Sequence, residues 1–337
     1  MQSATAPLAL TMGEPGGVSS EITAAAWKAC HRASLPFFII DDPDRYGAYD
    51  VPIKTIDTLA QAAACFDKAL PIYPLTRPVD FEPGVTSAKT ANLVIESIER
   101  AVQFCLDGQA CGIVTNPIQK SALIEAGFSF PGHTEFLGSL TQDTPLNGPR
   151  GPVMMLAGPQ LRTVPITVHI ALRDVPSHLN TKKIIFVAKL VDHALRTDFG
   201  ISDPKIAIAG LNPHAGEAGA FGDEDQRIIA PAIETLSAAG INVRGPAPAD
   251  TLFHAQARNQ YDAALCMYHD QALIPVKTLD FDRTVNVTLG LPIVRTSPDH
   301  GSALDIAGKG VANPASLIAA IEMAGTIVRN RANTDER

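Results

Sequence analysis

Four histidines lie in polar, turn-like strings close after apolar segments. They are His133 in Gly-His-Thr-Glu-Phe, His169 after the run Val164 to Val168, His214 in Asn-Pro-His-Ala-Gly-Glu, and His269 in Tyr-His-Asp-Gln. Imidazole is the commonest metal ligand in proteins, and three imidazoles with one open position form a known catalytic zinc site. The spacing contains no H-x-H or H-E-x-x-H string, so a hydrogen-bonded loop residue is the better interpretation of each histidine taken alone. Their shared position after apolar runs is what favours a metal site. The pattern itself does not separate His169 from His133 as a ligand.

A second set of residues is suited to phosphate. Lys277, Asn286 and Arg295 straddle the strand-like segments Thr284 to Leu289 and Ile293 to Arg295. A phosphate needs dispersed cationic and amide donors, and such side chains on successive strands can converge on one ligand. Solvated surface charges explain the same pattern equally well, so the residues alone leave both interpretations open.

Two glycine-containing strings can bring backbone close to a ligand. The string from Gly13 to Glu21 joins a strand-like run to a helical one, but it lacks the G-x-G-x-x-G spacing of a Rossmann fold. The string from Asp299 to Pro314 consists largely of small residues and precedes a predicted helix, which Asn313-Pro314 would open. It permits close approach to a flat cofactor, although a plain surface loop has the same composition.

The elements that must position these residues follow an α/β rhythm. Strand-like runs are found at Pro7 to Thr11, Phe37 to Ile40, Gly112 to Thr115, Ile206 to Ala209 and Ala263 to Met267. Helices are predicted near Ser87 to Leu106, Thr181 to Arg196, Asp223 to Ala238 and Pro314 to Arg329. The strands are apolar without alternation, which predicts parallel strands covered by helices on both faces. Ligands in such sheets gather at the carboxyl ends of strands, where the polar strings lie.

The bulk composition excludes several classes of protein. A length of 337 residues favours two domains with a site in the cleft between them. The net charge of -8 argues against nucleic-acid binding. Met1 to Pro7 lacks the features of a signal peptide, and Glu322 interrupts the longest apolar stretch, so we expect a cytoplasmic protein without a membrane span. The 5 cysteines form no C-x-x-C pair and are expected to be mostly buried, reduced thiols.

Several of these strings together resemble one enzyme family. They are Gly13-Glu14-Pro15, Asn116-Pro117-x-x-Lys120, Gly132 to Phe136, Leu211 to Glu217, Pro248 to Thr251, Met267 to Gln271 and Val285 to Pro292. In these strings the chain is similar to the 4-hydroxythreonine-4-phosphate dehydrogenases of vitamin B6 biosynthesis, from about Leu8 to Ala324. Two departures remove no functional side chain: the Gly16 to Ser20 loop has one glycine fewer than is common, and the segment between Thr134 and His169 is a few residues longer.

The resemblance implies a fold and an assembly. The fold would consist of two α/β/α domains of the isocitrate and isopropylmalate dehydrogenase type, with the active site in the cleft between them. Residues 1–135 with about 285–337 would form the first, discontinuous domain, and about 136–284 the second, which would carry the dimer contacts. The chain would act as a homodimer with its active site at the subunit interface.

The resemblance also implies a role for each group of residues. His169, His214 and His269 would bind one divalent ion (zinc, cobalt, magnesium or manganese), with one histidine supplied by the partner subunit. Substrate would contact a set of five residues: His133, Thr134, Lys277, Asn286 and Arg295. The loop from His300 to Pro314 is similar to the adenosine-binding loop of isopropylmalate dehydrogenases. It implies binding of NAD, or NADP, through His300, Gly301, Ala303, Asp305, Ile306 and Asn313.

The implied reaction is oxidation of a small phosphorylated hydroxy amino acid, 4-hydroxythreonine 4-phosphate, to a 3-oxo acid. That acid would lose its carboxylate to give 3-amino-2-oxopropyl phosphate. Lys277, Asp250 and Asp270 are candidates for taking the hydroxyl proton, and Asp270 could instead orient His269. The alternatives are a dehydrogenase for another phosphorylated hydroxy acid or a dihydrodiol dicarboxylate, and more distantly a phosphate acyltransferase, a metal-dependent hydrolase or a non-catalytic binding protein.

Overall fold

The computed structural model describes residues 6–32, 36–130 and 132–335. Its strands are β1 (Leu8–Thr11), β2 (Phe37–Asp41), β3 (Ile53–Thr55), β4 (Leu70–Pro74), β5 (Ile113–Val114), β6 (Val153–Ala157), β7 (Arg162–Pro165), β8 (Ile206–Ala209), β9 (Val243–Ala247), β10 (Ala263–Cys266), β11 (Val285–Leu289) and β12 (Arg295–Pro298). Its helices are α1 (Ser19–Cys30), α2 (Leu59–Cys65), α3 (Ala91–Leu106), α4 (Lys120–Glu125), α5 (His133–Leu140), α6 (Val175–His178), α7 (Thr181–Thr197), α8 (Ala230–Ala238), α9 (Ala249–Leu252), α10 (Ala255–Arg258), α11 (His269–Asp280) and α12 (Ala315–Asp335).

The chain divides into two compact units, and the first contains Met1–Pro145 and Leu291–Arg337. Its strands follow the order β3-β4-β2-β1-β5-β12, with parallel pairing throughout. The central strands are fully buried because helices cover them, as the unbroken apolar run Phe37 to Ile40 predicts. Helix α3 packs its apolar stripe, including Val94, Ile98 and Val102, into this core.

The second unit is Leu146–Gly290, with strand order β11-β6-β7-β10-β8-β9. Strands β7, β10, β8 and β9 are parallel, whereas β6 pairs antiparallel with both β11 and β7. The α/β class predicted from the sequence is therefore confirmed, and the predicted strand runs at β8 and β10 pair in parallel as expected. Strand β6, which the sequence did not predict, is antiparallel to both of its neighbours. A short connection, residues 158–161, joins β6 to β7, and only an antiparallel partner can be reached by so short a turn.

The predicted elements are present with shifted ends. The helix predicted from Ser87 begins at Ala91, after a 3₁₀ turn over Ala88–Thr90. The helix predicted from Asp223 begins at Ala230, after a π-helical turn over Asp225–Ile229. Helix ends differ because caps and tertiary contacts, rather than apolar periodicity, set them.

The cysteines and termini can be compared with their predictions in part. All five cysteines carry free thiols, four of them buried, and burial raises the pKa of Cys111 to about 12. A reactive thiolate is therefore disfavoured there. Within the described residues, no helix is both long enough and apolar enough to cross a membrane. Most of the segment Met1 to Pro7, in which we found no signal-peptide features, lies outside the described residues.

Candidate active site

Two of the predicted metal ligands lie side by side at the ends of adjacent strands. Strands β7 and β10 run parallel, and their pairing continues past the strand ends, where Thr167 N–H donates to Met267 O at 3.3 Å. His169 and His269 follow two residues later on each chain segment, so they emerge together. Their ring centroids are 5.9 Å apart, with an interplanar angle of 44°.

A carboxylate orients one of the two imidazoles. Asp270 Oδ1 lies 2.7 Å from His269 Nδ1, which leaves Nε2 of that ring available. A carboxylate on one ring nitrogen is the usual arrangement behind a metal-bound histidine, because it fixes the tautomer and raises the basicity of the other nitrogen. His169, His269 and Asp270 line a cavity of about 300 Å³, together with the apolar side chains of Ile170 and Val175.

The third predicted ligand, His214, follows β8, the strand on the other side of β10. Five successive residues, His214 to Ala218, have positive φ and form a left-handed turn. Each non-glycine residue in such a turn costs roughly 1–2 kcal/mol. The His214 side chain is 64% exposed, with Glu217 Oε2 at 3.9 Å from Nδ1.

The three histidines are not gathered within one chain. Over residues 6–32, 36–130 and 132–335 no three His, Cys, Asp or Glu side chains lie close enough to hold a metal ion. The structure brings together His169 and His269 and places His214 after the neighbouring strand. The donor chemistry of the pair still fits a divalent ion, since two imidazoles face one cavity and a carboxylate supports one of them.

In the first unit, Arg295 forms a buried cationic pocket. Arg295 is 4% exposed, and its guanidinium donates to Thr115 Oγ1 from Nη2 at 2.7 Å and from Nε at 3.2 Å. Burial lowers the pKa of Arg295 to about 10, although Asp299 and Glu135 act in the opposite direction. The group is therefore charged at neutral pH, and an arriving anion would compensate for its desolvation.

His133 lies beside this guanidinium at the first turn of α5. Its Nε2 atom is buried and has no hydrogen-bond partner. Burial lowers the pKa of His133 well below its ordinary value, and the positive charges of Arg295 and Lys120 lower it further. The imidazole is therefore neutral at pH 7, with one ring nitrogen free to face a ligand. Thr134, the next residue of this turn, is half-buried.

Lys120 is a further candidate site residue, and reasoning from residue chemistry alone missed it. An added Cβ on Gly132 would lie 3.4 Å from Lys120 Cε and 3.6 Å from its Nζ, so the ammonium group lies against the turn that carries His133. The available signal was position, since Thr115, Asn116 and Lys120 closely follow β5. Residues after a parallel strand face ligands in α/β folds.

The remaining predicted substrate and proton-transfer residues belong to the second unit. Asn286 lies half-buried on β11, and Asp250 lies exposed in α9. The expectation that Lys277 lies on a strand is wrong, because it lies on α11 with its Nζ 5.5 Å from the Phe281 ring centroid. Lys277 follows Asp270 by seven residues, close to two full turns, so both side chains project from the same face of α11.

The two glycine-containing strings, predicted separately, contact each other in the first unit. Val18 N–H donates to Ser302 O at 3.0 Å, and a Cβ on Gly17 would lie 2.6 Å from that oxygen. Glu21 Oε1 accepts from Ala312 N–H at 2.8 Å. The glycine at position 17 is thus required for close packing of the two loops, and α1 anchors the far end of the second loop.

The predicted cofactor-binding residues lie along this second loop. His300 Nδ1 lies 2.8 Å from Gly301 O, and Ala303 has a left-handed φ of 47°. Asn313 caps α12 by accepting from Ala315 N–H at 3.0 Å. Asp305 and Ile306 lie in a 3₁₀ turn over Leu304–Ile306. An added Cβ on Gly301 would meet nothing within 4 Å, so the backbone there is open to a flat ligand.

Comparison with known proteins places the whole chain in one family. Residues 31–324 match the model of the pyridoxal phosphate biosynthetic protein PdxA. A 4-hydroxythreonine-4-phosphate dehydrogenase of Caulobacter vibrioides is 51% identical over 329 residues, which cover 96% of this chain and 98% of that protein. The crystal structure of the Klebsiella pneumoniae 4-hydroxythreonine-4-phosphate dehydrogenase superimposes with a TM-score of 0.83 at 38% identity, covering 96% of this chain and 98% of that one.

A more distant structural relative carries a different name. A terephthalate 1,2-cis-dihydrodiol dehydrogenase of Burkholderia xenovorans superimposes with a TM-score of 0.63 at 26% identity, covering 95% of this chain and 98% of that chain. The family resemblance found in the sequence strings is confirmed by the match over residues 31–324 and by the full-length relatives. The chain belongs to the PdxA family of pyridoxal phosphate biosynthetic proteins.

Proposed function

We propose that the chain is a cytoplasmic dehydrogenase that oxidises 4-hydroxythreonine 4-phosphate to the 3-oxo acid with NAD or NADP, in the formation of pyridoxal phosphate. Two relatives, 51% and 49% identical in sequence to this chain, are named 4-hydroxythreonine-4-phosphate dehydrogenase. The observation that carries the proposal in the structure is the His169 and His269 pair with Asp270 behind it. An imidazole pair supported in this way, at the carboxyl ends of parallel strands, is typical of a catalytic metal site.

The imidazoles are proposed to hold one divalent ion, and the cofactor to lie along the His300 to Asn313 loop. When bound, the ion supplies Lewis-acid polarisation of the substrate hydroxyl, and the nicotinamide supplies a hydride acceptor. Because one described chain brings only His169 and His269 together, the proposal includes a homodimer in which one of the three imidazoles comes from the second copy. Asp270 keeps His269 in the tautomer that presents Nε2.

The substrate phosphate is proposed to bind at Arg295, His133 and Thr134. A buried guanidinium is the strongest donor available for a dianion, and the neutral His133 ring can donate from Nε2 without adding a charge that Arg295 would repel. Asn286 and Lys277 are also proposed to contact the substrate. Water is largely excluded around Arg295, which strengthens each of these contacts.

Among the three candidates for the proton acceptor, the contacts favour Lys277. Asp270 already accepts from or shares a proton with His269 Nδ1, and Asp250 lies exposed on a separate short helix. Lys277 shares a helix face with Asp270. Its Nζ lies 5.5 Å from the Phe281 ring centroid, so the side chain would have to turn toward the N-terminal end of α11 to reach a hydroxyl beside His269. We propose that Lys277 accepts the hydroxyl proton at Nζ in its neutral amine form, because an ammonium group has no lone pair to take it.

The proposed reaction balances with the substrate, the nicotinamide cofactor as hydride acceptor and the protein's own proton acceptor. The secondary C–H electron pair leaves as hydride, the hydroxyl proton passes to Lys277, and a ketone forms beside the carbon that bears the carboxylate. Such a 3-oxo acid releases carbon dioxide as its C–C electron pair moves into the adjacent carbonyl, and protonation then gives 3-amino-2-oxopropyl phosphate. The protein's part is to hold the phosphate and the hydroxyl in a fixed relation to the cofactor.

The test is turnover of 4-hydroxythreonine 4-phosphate with NAD and with NADP, followed by absorbance of the reduced nicotinamide. The enzyme is first depleted of metal and then supplied separately with zinc, cobalt, magnesium or manganese. We expect activity to be lost on depletion and restored on addition. Equal turnover of an unphosphorylated dihydrodiol dicarboxylate would favour the activity named for the Burkholderia relative, and absence of any reduced nicotinamide would contradict the proposal.

A further inference from the structure

The loop that carries His214 is built around a buried carboxylate. Asp225 is fully buried, and its two oxygens accept from backbone and side chain alike. Oδ1 accepts from Leu211 N–H at 2.8 Å, and Oδ2 accepts from Asn212 N–H at 3.1 Å and from Asn212 Nδ2 at 3.0 Å. A carboxylate satisfied by several N–H donors in a dry setting is held firmly in one orientation.

The same side chains leave no space for the loop to shift. An added Cβ on Gly210 would lie 2.8 Å from Asp225 Oδ1, and one on Gly216 would lie 3.4 Å from Asp225 Cβ. A Cβ on Gly222 would lie 2.6 Å from Asn212 Nδ2, which also donates to Glu224 Oε2 at 2.8 Å. Glycines before, within and after the left-handed turn are therefore packed closely against Asn212 or Asp225.

The turn is strained, and backbone hydrogen bonds help to hold it: Ala215 N–H donates to Asn212 O at 3.0 Å, and Phe221 N–H donates to Gly216 O at 3.2 Å. Four residues other than glycine hold positive φ, namely His214, Ala215, Glu217 and Ala218. The His214 ring is exposed, with the Glu217 carboxylate at 3.9 Å and the Phe221 ring at 5.9 Å between centroids. Strained backbone of this kind persists where surrounding contacts fix it, and it is concentrated at functional sites.

We infer that Asp225 is the positioning residue for the metal site: through Asn212 it holds the left-handed turn so that His214 is presented as a ligand. This inference rests on the proposed function, because it takes His214 to bind a divalent ion. Asp225 itself touches neither substrate nor ion in this arrangement. Its loss would leave the imidazole chemically intact but would free the turn that aims it.

The experiment measures zinc and cobalt dissociation constants of the metal-free, full-length protein by calorimetry, for wild type and Asp225→Asn. We expect the variant to bind about 10- to 100-fold more weakly, as when outer partners of metal ligands are removed. Hydrogen exchange in the metal-free state should show loss of protection for the amides of residues 211–221. The helices of the same unit should keep their protection.

Two controls separate positioning from general loss of stability. Asp223→Asn makes the same substitution at an exposed carboxylate that pairs with Arg227. The zinc and cobalt dissociation constants of this variant should equal those of wild type. Leu236→Ala removes a buried side chain of α8 and should lower the unfolding temperature without changing metal affinity. If Asp225→Asn does not fold, Asn212→Ser, which removes the Nδ2 donor, should weaken binding by about 3- to 10-fold.

The outcomes are distinct. Wild-type metal affinity in a folded Asp225→Asn or Asn212→Ser protein would overturn the inference. Equal weakening in Leu236→Ala would also overturn it, because the effect would then follow stability alone. A wild-type protein that binds neither ion contradicts the proposed metal role itself, and unchanged protection of residues 211–221 in the variant would contradict the positioning role independently of any metal.

Discussion

The two units offer opposite solutions to binding a charged group. The cationic pocket of the first unit is buried: Arg295 is 4% exposed and fixed by Thr115. The histidines of the second unit lie near the surface, with His214 64% exposed. A buried charge must be held in place by its own chain, whereas an exposed imidazole can be completed by an ion or a second copy. We therefore expect the pocket to be formed in the free chain, and the metal site to be completed on assembly.

The largest expected effect concerns the paired histidines of the second unit, His169 and His269. His269→Ala should lower kcat by about 1000-fold, because Lewis-acid stabilisation is worth several kcal/mol and each 1.4 kcal/mol is tenfold. The measurement is reduced-nicotinamide production at saturating substrate and metal. His254→Ala, at an exposed histidine of the same unit, is the matched control and should keep wild-type kcat. A fully active His269→Ala protein would contradict the proposed metal site of the second unit.

Removing the buried cation of the first unit should weaken substrate binding rather than lower kcat. Arg295→Ala should raise KM for the phosphorylated substrate by about 100-fold and leave KM for NAD unchanged, since a charged hydrogen bond contributes about 1.5–3 kcal/mol. Steady-state kinetics with each substrate varied in turn measures both. Arg329→Ala, an exposed arginine on α12, serves as control. If kcat fell while KM stayed constant, Arg295 would act on the reaction rather than on phosphate binding.

A pH dependence follows from the lowered pKa of His133. Below a pH of about 6.5, the His133 imidazole binds a proton in the unfolded chain but stays neutral in the folded chain. The free energy of unfolding therefore falls as the pH drops toward the lower pKa of the folded state. His133→Gln should remove this contribution, and its unfolding temperature should fall less than that of wild type between pH 7.5 and 5.5. Inorganic phosphate should flatten the wild-type curve, because an anion beside the ring favours protonation. Parallel curves for both proteins would show that His133 titrates normally.

The smallest effect is expected at the rim of the same pocket. Lys120 is exposed, so Lys120→Gln should raise KM for the phosphorylated substrate only about 2- to 5-fold, with the difference vanishing at high salt. Lys89→Gln, at another exposed lysine of the first unit, should change nothing. An effect as large as that of Arg295→Ala would mean that the rim, rather than the buried guanidinium, dominates phosphate binding.

The sequence predicted the class of fold because apolar runs and helical periodicity are local properties. The runs at Phe37 to Ile40 and Ile206 to Ala209 became buried parallel strands, as predicted. Lys277 was misplaced because Pro275 and the short apolar run before it resemble a strand end, although α11 continues through that proline. The antiparallel pairing of β6 was not foreseen, since strand direction depends on partners distant in sequence.

By itself, the sequence determined the residue types at the strand ends and, through long shared strings, the PdxA family. Only the tertiary structure decided which of those residues meet: β7 beside β10 brings His169 to His269, and β5 beside β12 brings Thr115 to Arg295. It also decided the state of each group, with a neutral His133 whose Nε2 atom is buried and a left-handed turn at His214. The physical reason is that packing between distant segments sets both the desolvation of a side chain and the neighbours of a strand. A local sequence pattern contains no information on either.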